Sequence, residues 1–131
     1  MVHFNNSYKF GKQEELKVLP LICEYFKREI SQYPNQYDKY DFFDSEHQYE
    51  LKSRTNTKMK YPTTMITLNK MSDDKPLILL FNYTDRLCFI QYDKEKFSKY
   101  FIQNHSRAGL KEDEKEHIYI PIEDLTDIIQ Y

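Results

Sequence analysis

The groups whose spacing could do chemistry lie in one stretch, Asp41-Phe42-Phe43-Asp44-Ser45-Glu46-His47-Gln48-Tyr49-Glu50-Leu51-Lys52. A two-residue turn at Ser45-Glu46 would fold it into a hairpin in which Asp44 faces His47, Phe43 faces Gln48, Phe42 faces Tyr49 and Asp41 faces Glu50. Directly opposed residues on one face of such a pair have Cβ atoms ~4.5–5.5 Å apart. Two carboxylates at that separation repel each other unless a cation lies between them, and hard divalent cations such as Mg²⁺ take carboxylate oxygens. Lys52 follows Glu50 by two residues and so shares its face. From there its ammonium could acidify a metal-bound water or hold it beside a phosphate. Phe42, Tyr49 and Leu51 fall on the opposite face, as a core requires.

Placing those groups takes a helix and a sheet. Leu16, Leu19, Cys23, Phe26 and Ile30 recur at three- and four-residue steps, which predicts a helix over 11–30 with one buried face. Pro20 predicts a kink or restart within it. Residues 31–39 read as a loop, and 55–70 are split by Pro62 into a basic half and an apolar half of ambiguous structure. The runs Leu77 to Tyr83 and Leu87 to Tyr92 predict a second hairpin, central enough to be buried on both faces. Phe97, Tyr100 and Phe101 mark a short helix, 103–116 a polar loop, and 117–122 a last strand. Leu125, Ile128 and Ile129 mark a terminal helix opened by Glu123 and Asp124. The expected architecture is α/β, a mixed central β-sheet flanked by helices, forming one domain over residues 1–131.

Helix, strand with Asp41, then strand with Glu50-Leu51-Lys52 is an order that resembles the PD-(D/E)xK nuclease superfamily. Members often carry a further acid near the start of the first helix, after a glycine, and Gly11-Lys12-Gln13-Glu14-Glu15 is similar to that element. Glu15 is favoured because it lies on the 15-19-22-26 stripe, with Glu14 as the alternative. The resemblance covers roughly residues 9–92 and implies a restriction-endonuclease-like core. It implies a Mg²⁺- or Mn²⁺-dependent enzyme hydrolysing DNA phosphodiester bonds, an endonuclease rather than a processive exonuclease. Asp41, Glu50 and Lys52 would be catalytic. Glu15, Asp41, Glu50 and the Leu51 backbone carbonyl would hold the metal, and Lys52 would orient or activate the nucleophile. No proline precedes Asp41, as it often does in the family, and the chain leaves room only for small specificity elements. DNA is the expected partner, with RNA and a homodimer both left open.

Composition bounds these readings. Within 52–70 stand Lys52, Arg54, Lys58, Lys60 and Lys70 with no acid. Arg54, Lys58 and Lys60 are candidates for contacts to backbone phosphates, which position a nucleic acid without reading its sequence. The net charge of −2 argues against a simple basic binder. It favours a rival class, a nuclease-like fold that no longer cuts and binds nucleic acid or a protein partner. With only 2 glycines, phosphate-cradling Gly-rich loops are excluded. His3, His47, His105 and His117 lack zinc spacing, and Cys23 and Cys88 read as core residues. Of the 12 tyrosines, Tyr61 between Lys60 and Pro62 is the candidate for base stacking. No apolar run reaches the ~18 residues of a membrane span and no signal-peptide pattern opens the chain. The expected setting is intracellular, in cytoplasm or nucleus, or that of a virus-encoded protein.

Overall fold

The computed structural model describes residues 2–35, 37–72, 74–105 and 115–131, with side chains from residue 9 onward. Helix α1 (Val2–Phe26) buries Glu15, Val18 and Ile22, with Leu19, Cys23 and Phe26 half-buried beside them. This is the stripe through Glu15; Leu16, expected on the buried face, is 59% exposed. The helix runs through Pro20 as one element, with the proline on its exposed side. It ends before the predicted boundary because Lys27 takes a left-handed φ of 56° and the Arg28 N–H returns to the Cys23 carbonyl at 3.3 Å. Ile30 still enters the core, from the chain beyond that turn.

The strands, in chain order, are β1 (Ser31–Gln32), β2 (Phe42–Phe43), β3 (Gln48–Ser53), β4 (Thr63–Thr67), β5 (Leu77–Asn82) and β6 (Arg86–Gln91). After the short helix α2 (Lys94–Phe97) come β7 (Phe101–His105), β8 (Lys115–Pro121) and β9 (Thr126–Gln130). A six-stranded sheet has the order β1-β2-β3-β5-β6-β9, and a three-stranded sheet the order β4-β8-β7. The first is mixed: β3 and β5 are parallel, the other pairs antiparallel. The fold is therefore a mixed α/β fold whose central sheet is contacted by flanking helices.

In-register neighbours share a face. Tyr49 with Ile78, and Leu51 with Leu80, pack against Val18 and Ile22 of α1. Leu77, Leu79 and Phe81 take the other face, against Ile66, Ile118 and Ile120 of the second sheet and Phe97 of α2. Strand β5 lies centrally and is buried on both faces, as its apolar run predicts.

Three expectations at the C-terminal side are corrected. Phe101 starts strand β7, and the short helix is 94–97, capped by the Asp93 carboxylate on the Lys96 N–H. The polar loop over 103–116 gives way at both ends to β7 and β8, with 106–114 outside the described residues. The terminal helix is strand β9, paired antiparallel to β6 with Leu87 opposite Ile129 and Phe89 opposite Thr126. Apolar residues at 125, 128 and 129 fit a helical step or a half-buried strand equally, and an edge of β6 was available to pair. Glu123 and Asp124 sit in a 3-10 turn, Ile122–Asp124, that leads into the strand. Among the described residues no helix is long and apolar enough to cross a membrane.

Candidate functional site

Hairpin β2–β3 has the register that residue parity predicts: Phe42 opposes Tyr49 and Phe43 opposes Gln48. The Asp44 N–H donates to the His47 carbonyl at 3.0 Å, closing the turn. Asp44 itself is the turn's anchor. Its carboxylate accepts the N–H groups of Glu46 and His47 at 2.8 Å each, the Tyr49 hydroxyl at 2.5 Å and a contact with His47 Nδ1 at 3.0 Å. Burial alone would raise this carboxyl, but those hydrogen bonds outweigh it and hold the group down at about 2.

At the other end of the hairpin the ladder is irregular. The Asp41 N–H donates to the Tyr49 carbonyl at 3.0 Å, while the Asp41 carboxylate accepts the Leu51 N–H at 2.7 Å. The side chain thus substitutes for a backbone partner and is fixed beside β3. Burial first, then the Glu50 charge, pushes the Asp41 carboxyl up to about 6, against the Leu51 N–H, Glu15 and Lys52, which favour its charged form. Glu50 is 3% exposed. Its Oε2 lies 3.2 Å from Lys52 Nζ and 3.5 Å from Lys70 Nζ, whereas its Oε1 is buried and, among the described residues, has no hydrogen-bond partner.

Glu15 approaches from α1, on the opposite side of the sheet from Glu50, which shares its face with Leu79. Its Oε1 accepts Gln32 Nε2 at 2.8 Å and Lys12 Nζ at 3.3 Å, and the group lies within hydrogen-bonding reach of Asp41. Burial and the Asp41 charge raise the Glu15 carboxyl; Gln32 and Lys12 oppose them. Glu14 turns elsewhere, toward Lys17, Ser53 and Asn82. Asp41 is thus the acid coupled electrostatically to both of the others, Glu15 and Glu50. Among the described residues no three Asp, Glu, His or Cys side chains stand together as a group that could hold a metal ion. The donors on the Asp41–Glu50 side are hard oxygens, and the unpartnered Glu50 Oε1 is one that a divalent cation would satisfy.

The candidate phosphate contacts divide. The Arg54 guanidinium donates to the Thr64 hydroxyl at 3.1 and 3.2 Å and to the Met65 carbonyl at 2.6 Å, and lies over the Phe81 ring. Lys58 pairs with Asp127 at 3.0 Å, and its N–H binds Asp85. Both side chains tie parts of the fold together. Lys60 is exposed, its ammonium 5.5 Å from the centre of the exposed Tyr61 ring. Cys88 is buried, its thiol pushed up to about 12 by burial and by donation to Asp127, so it stays protonated.

Sequence reasoning singled out neither Gln32 nor Lys70, and it set His105 and His117 aside. Lys70 was visible in the acid-free run, but its reach to Glu50 depends on a turn after β4 (Leu68–Lys70) that no pattern announces. The histidines meet, ring centres 5.5 Å apart, only because β7 pairs with β8. Compared with protein-family models, curated proteins and solved structures, the chain matches none.

Proposed function

We propose that this chain is a metal-dependent nuclease of the PD-(D/E)xK kind, with a restriction-endonuclease-like core made of α1, β2, β3, β5 and β6. The observation that carries the reading is the buried, unpartnered Glu50 Oε1 beside an Asp41 carboxyl raised to about 6, with Lys52 on the same strand face. A Mg²⁺ or Mn²⁺ ion held by Asp41, Glu50 and the Leu51 carbonyl, with Glu15 behind Asp41, would supply an acidified water and positive charge for the phosphate. Lys52 would orient that water against phosphorus. Water would add to phosphorus as the P–O bond to the leaving oxygen breaks, a solvent proton completing that oxygen, and Lys70, 3.5 Å from Glu50, would add positive charge in the same place. DNA is the expected substrate.

One observation favours a second reading. Among the described residues the acids make no three-ligand group that could hold a metal ion, and both Lys52 and Lys70 already neutralise Glu50. On that ground the chain is a nuclease-like module that binds nucleic acid or a protein partner without cutting. Incubating the purified chain with plasmid, branched and single-stranded DNA and with RNA, in Mg²⁺ or Mn²⁺ and in EDTA, separates the two. The first reading expects cleavage that EDTA abolishes and that Lys52→Ala lowers by on the order of 10²-fold or more. No metal-dependent cleavage of any of these polymers gives the second.

A further inference from the structure

We infer that the outer face of the second sheet is a track for an unpaired nucleic-acid strand, which leads the backbone through a basic cleft toward Glu50. The inference rests on the nucleic-acid reading above and deepens it by naming the form of the polymer and the surface that takes it.

Register defines the face. Phe101 opposes Tyr119, Gln103 opposes His117 and His105 opposes Lys115 across β7 and β8, so these six side chains share one side of the sheet. The alternate residues Ile118 and Ile120 are buried against the core on the other side. On the outer side the Phe101 and Tyr119 rings are stacked at 29° with centres 5.7 Å apart, and Phe101 is 59% exposed. Beside them His117 Nδ1 lies 2.9 Å from the Lys115 carbonyl. That bond requires the proton on Nδ1 and leaves Nε2 for another partner. Among the described residues the Lys115 ammonium has no acidic partner.

A cleft of about 410 Å³ adjoins this face, bordered by Lys52, Arg54, Lys70, His105, Lys115 and His117 and, among the described residues, by no carboxylate. Lys52 and Lys70, at its inner end, are the two residues that touch Glu50 Oε2. Cations along the cleft suit phosphodiester oxygens, and the aromatic pair offers a flat apolar surface to a base. A duplex hides the faces of its bases, whereas an unpaired strand exposes them to stack on aromatic side chains. Charge complementarity with stacking beside it therefore selects a single strand.

Binding of fluorescein-labelled single-stranded and duplex oligonucleotides, measured by anisotropy in EDTA, tests the inference without requiring cleavage. The single strand should bind more tightly than the duplex. Replacing His105, Lys115 and His117 together by Ala should weaken it about 10-fold or more, and loss of the Lys115 charge should flatten its salt dependence by near ~0.7 in slope, the value for one phosphate no longer neutralised on a single strand. Phe101→Ala should weaken it about 5- to 100-fold, as loss of one stacked base does. Lys115→Glu, at an exposed position, serves if the triple variant fails to fold. Equal affinity for duplex and single strand, no binding at all, or wild-type affinity in Lys115→Glu and Phe101→Ala would overturn the inference, even if metal-dependent cleavage stands. Face-dependent binding by a protein that never cleaves would keep it and overturn the nuclease reading.

Discussion

At Asp41, burial and the neighbouring Glu50 charge push the carboxyl from an ordinary 3.8 to about 6. The folded chain then binds this proton more tightly than the unfolded chain does. Between about pH 4 and 6 the native state carries the extra proton, so this group's contribution to stability falls as pH rises through that window. Above it the folded protein holds two close carboxylates at a cost. Asp41→Asn removes one charge and keeps an oxygen that can accept the Leu51 N–H. In EDTA at pH 7.5 it is expected to melt about 3–10 °C above wild type, for roughly 1–2 kcal/mol relieved in a chain of this size. Metal reverses the order, because saturation at 100 times Kd would stabilise wild type by about 2.7 kcal/mol and the variant by much less. Melting curves with and without Mn²⁺ check both signs. A variant that melts below wild type in EDTA, with an equal gain from metal, would remove Asp41 from any metal site.

The hairpin that presents Asp41 and Glu50 is held at its turn by Asp44, whose titration has the opposite sign. Its folded value of about 2 lies below the ordinary 3.8. Its contribution, about 2 kcal/mol, is therefore complete above pH 4 and is lost as pH falls from about 4 to 2. Asp44→Ala leaves two turn N–H groups and the buried Tyr49 hydroxyl without their acceptor, and is expected to cost about 2–4 kcal/mol at pH 7. Denaturant unfolding at pH 7 and pH 3 tests this: the gap between wild type and variant should narrow in acid, and a gap that persists unchanged would assign it to packing. This hairpin was legible in the sequence because register follows parity, and one slip would have put Phe42, Tyr49 and Leu51 on the polar face. Strands β7 and β9 were not legible. Phe101 to Gln103 are exposed on consecutive positions, so no alternation marks β7, and the partner that makes it a strand begins only at Lys115. Arg54 and Lys58 read correctly as cations. Their partners, Met65 across the sheets and Asp127 at a separation of 69 residues, are properties of the tertiary fold.

Across the molecule, the track and the acids belong to different sheets, so any shared function depends on how firmly the sheets are joined. Leu79 and Phe81 of the first pack in one apolar cluster with Ile66, Ile118 and Ile120 of the second. Arg54 adds a polar brace: it leaves the end of β3, covers Phe81 and holds the Thr64 hydroxyl and the Met65 carbonyl of β4. Its fork geometry makes these bonds together, which a lysine cannot do. Arg54→Met preserves the apolar stem and deletes the donors, leaving the half-buried Met65 carbonyl without this donor. The expected loss is about 1–3 kcal/mol, or a melting temperature lower by about 3–12 °C. Because the core is common to both sheets, unfolding of wild type and variant alike should remain one transition, coincident by far-ultraviolet dichroism and tyrosine fluorescence. Arg54→Lys should recover little of the loss. Two separated transitions would mean that the second sheet folds apart from the first. In that case the distance from His117 to Glu50 would be free to vary, and a strand bound on the outer face would no longer be delivered to the acids.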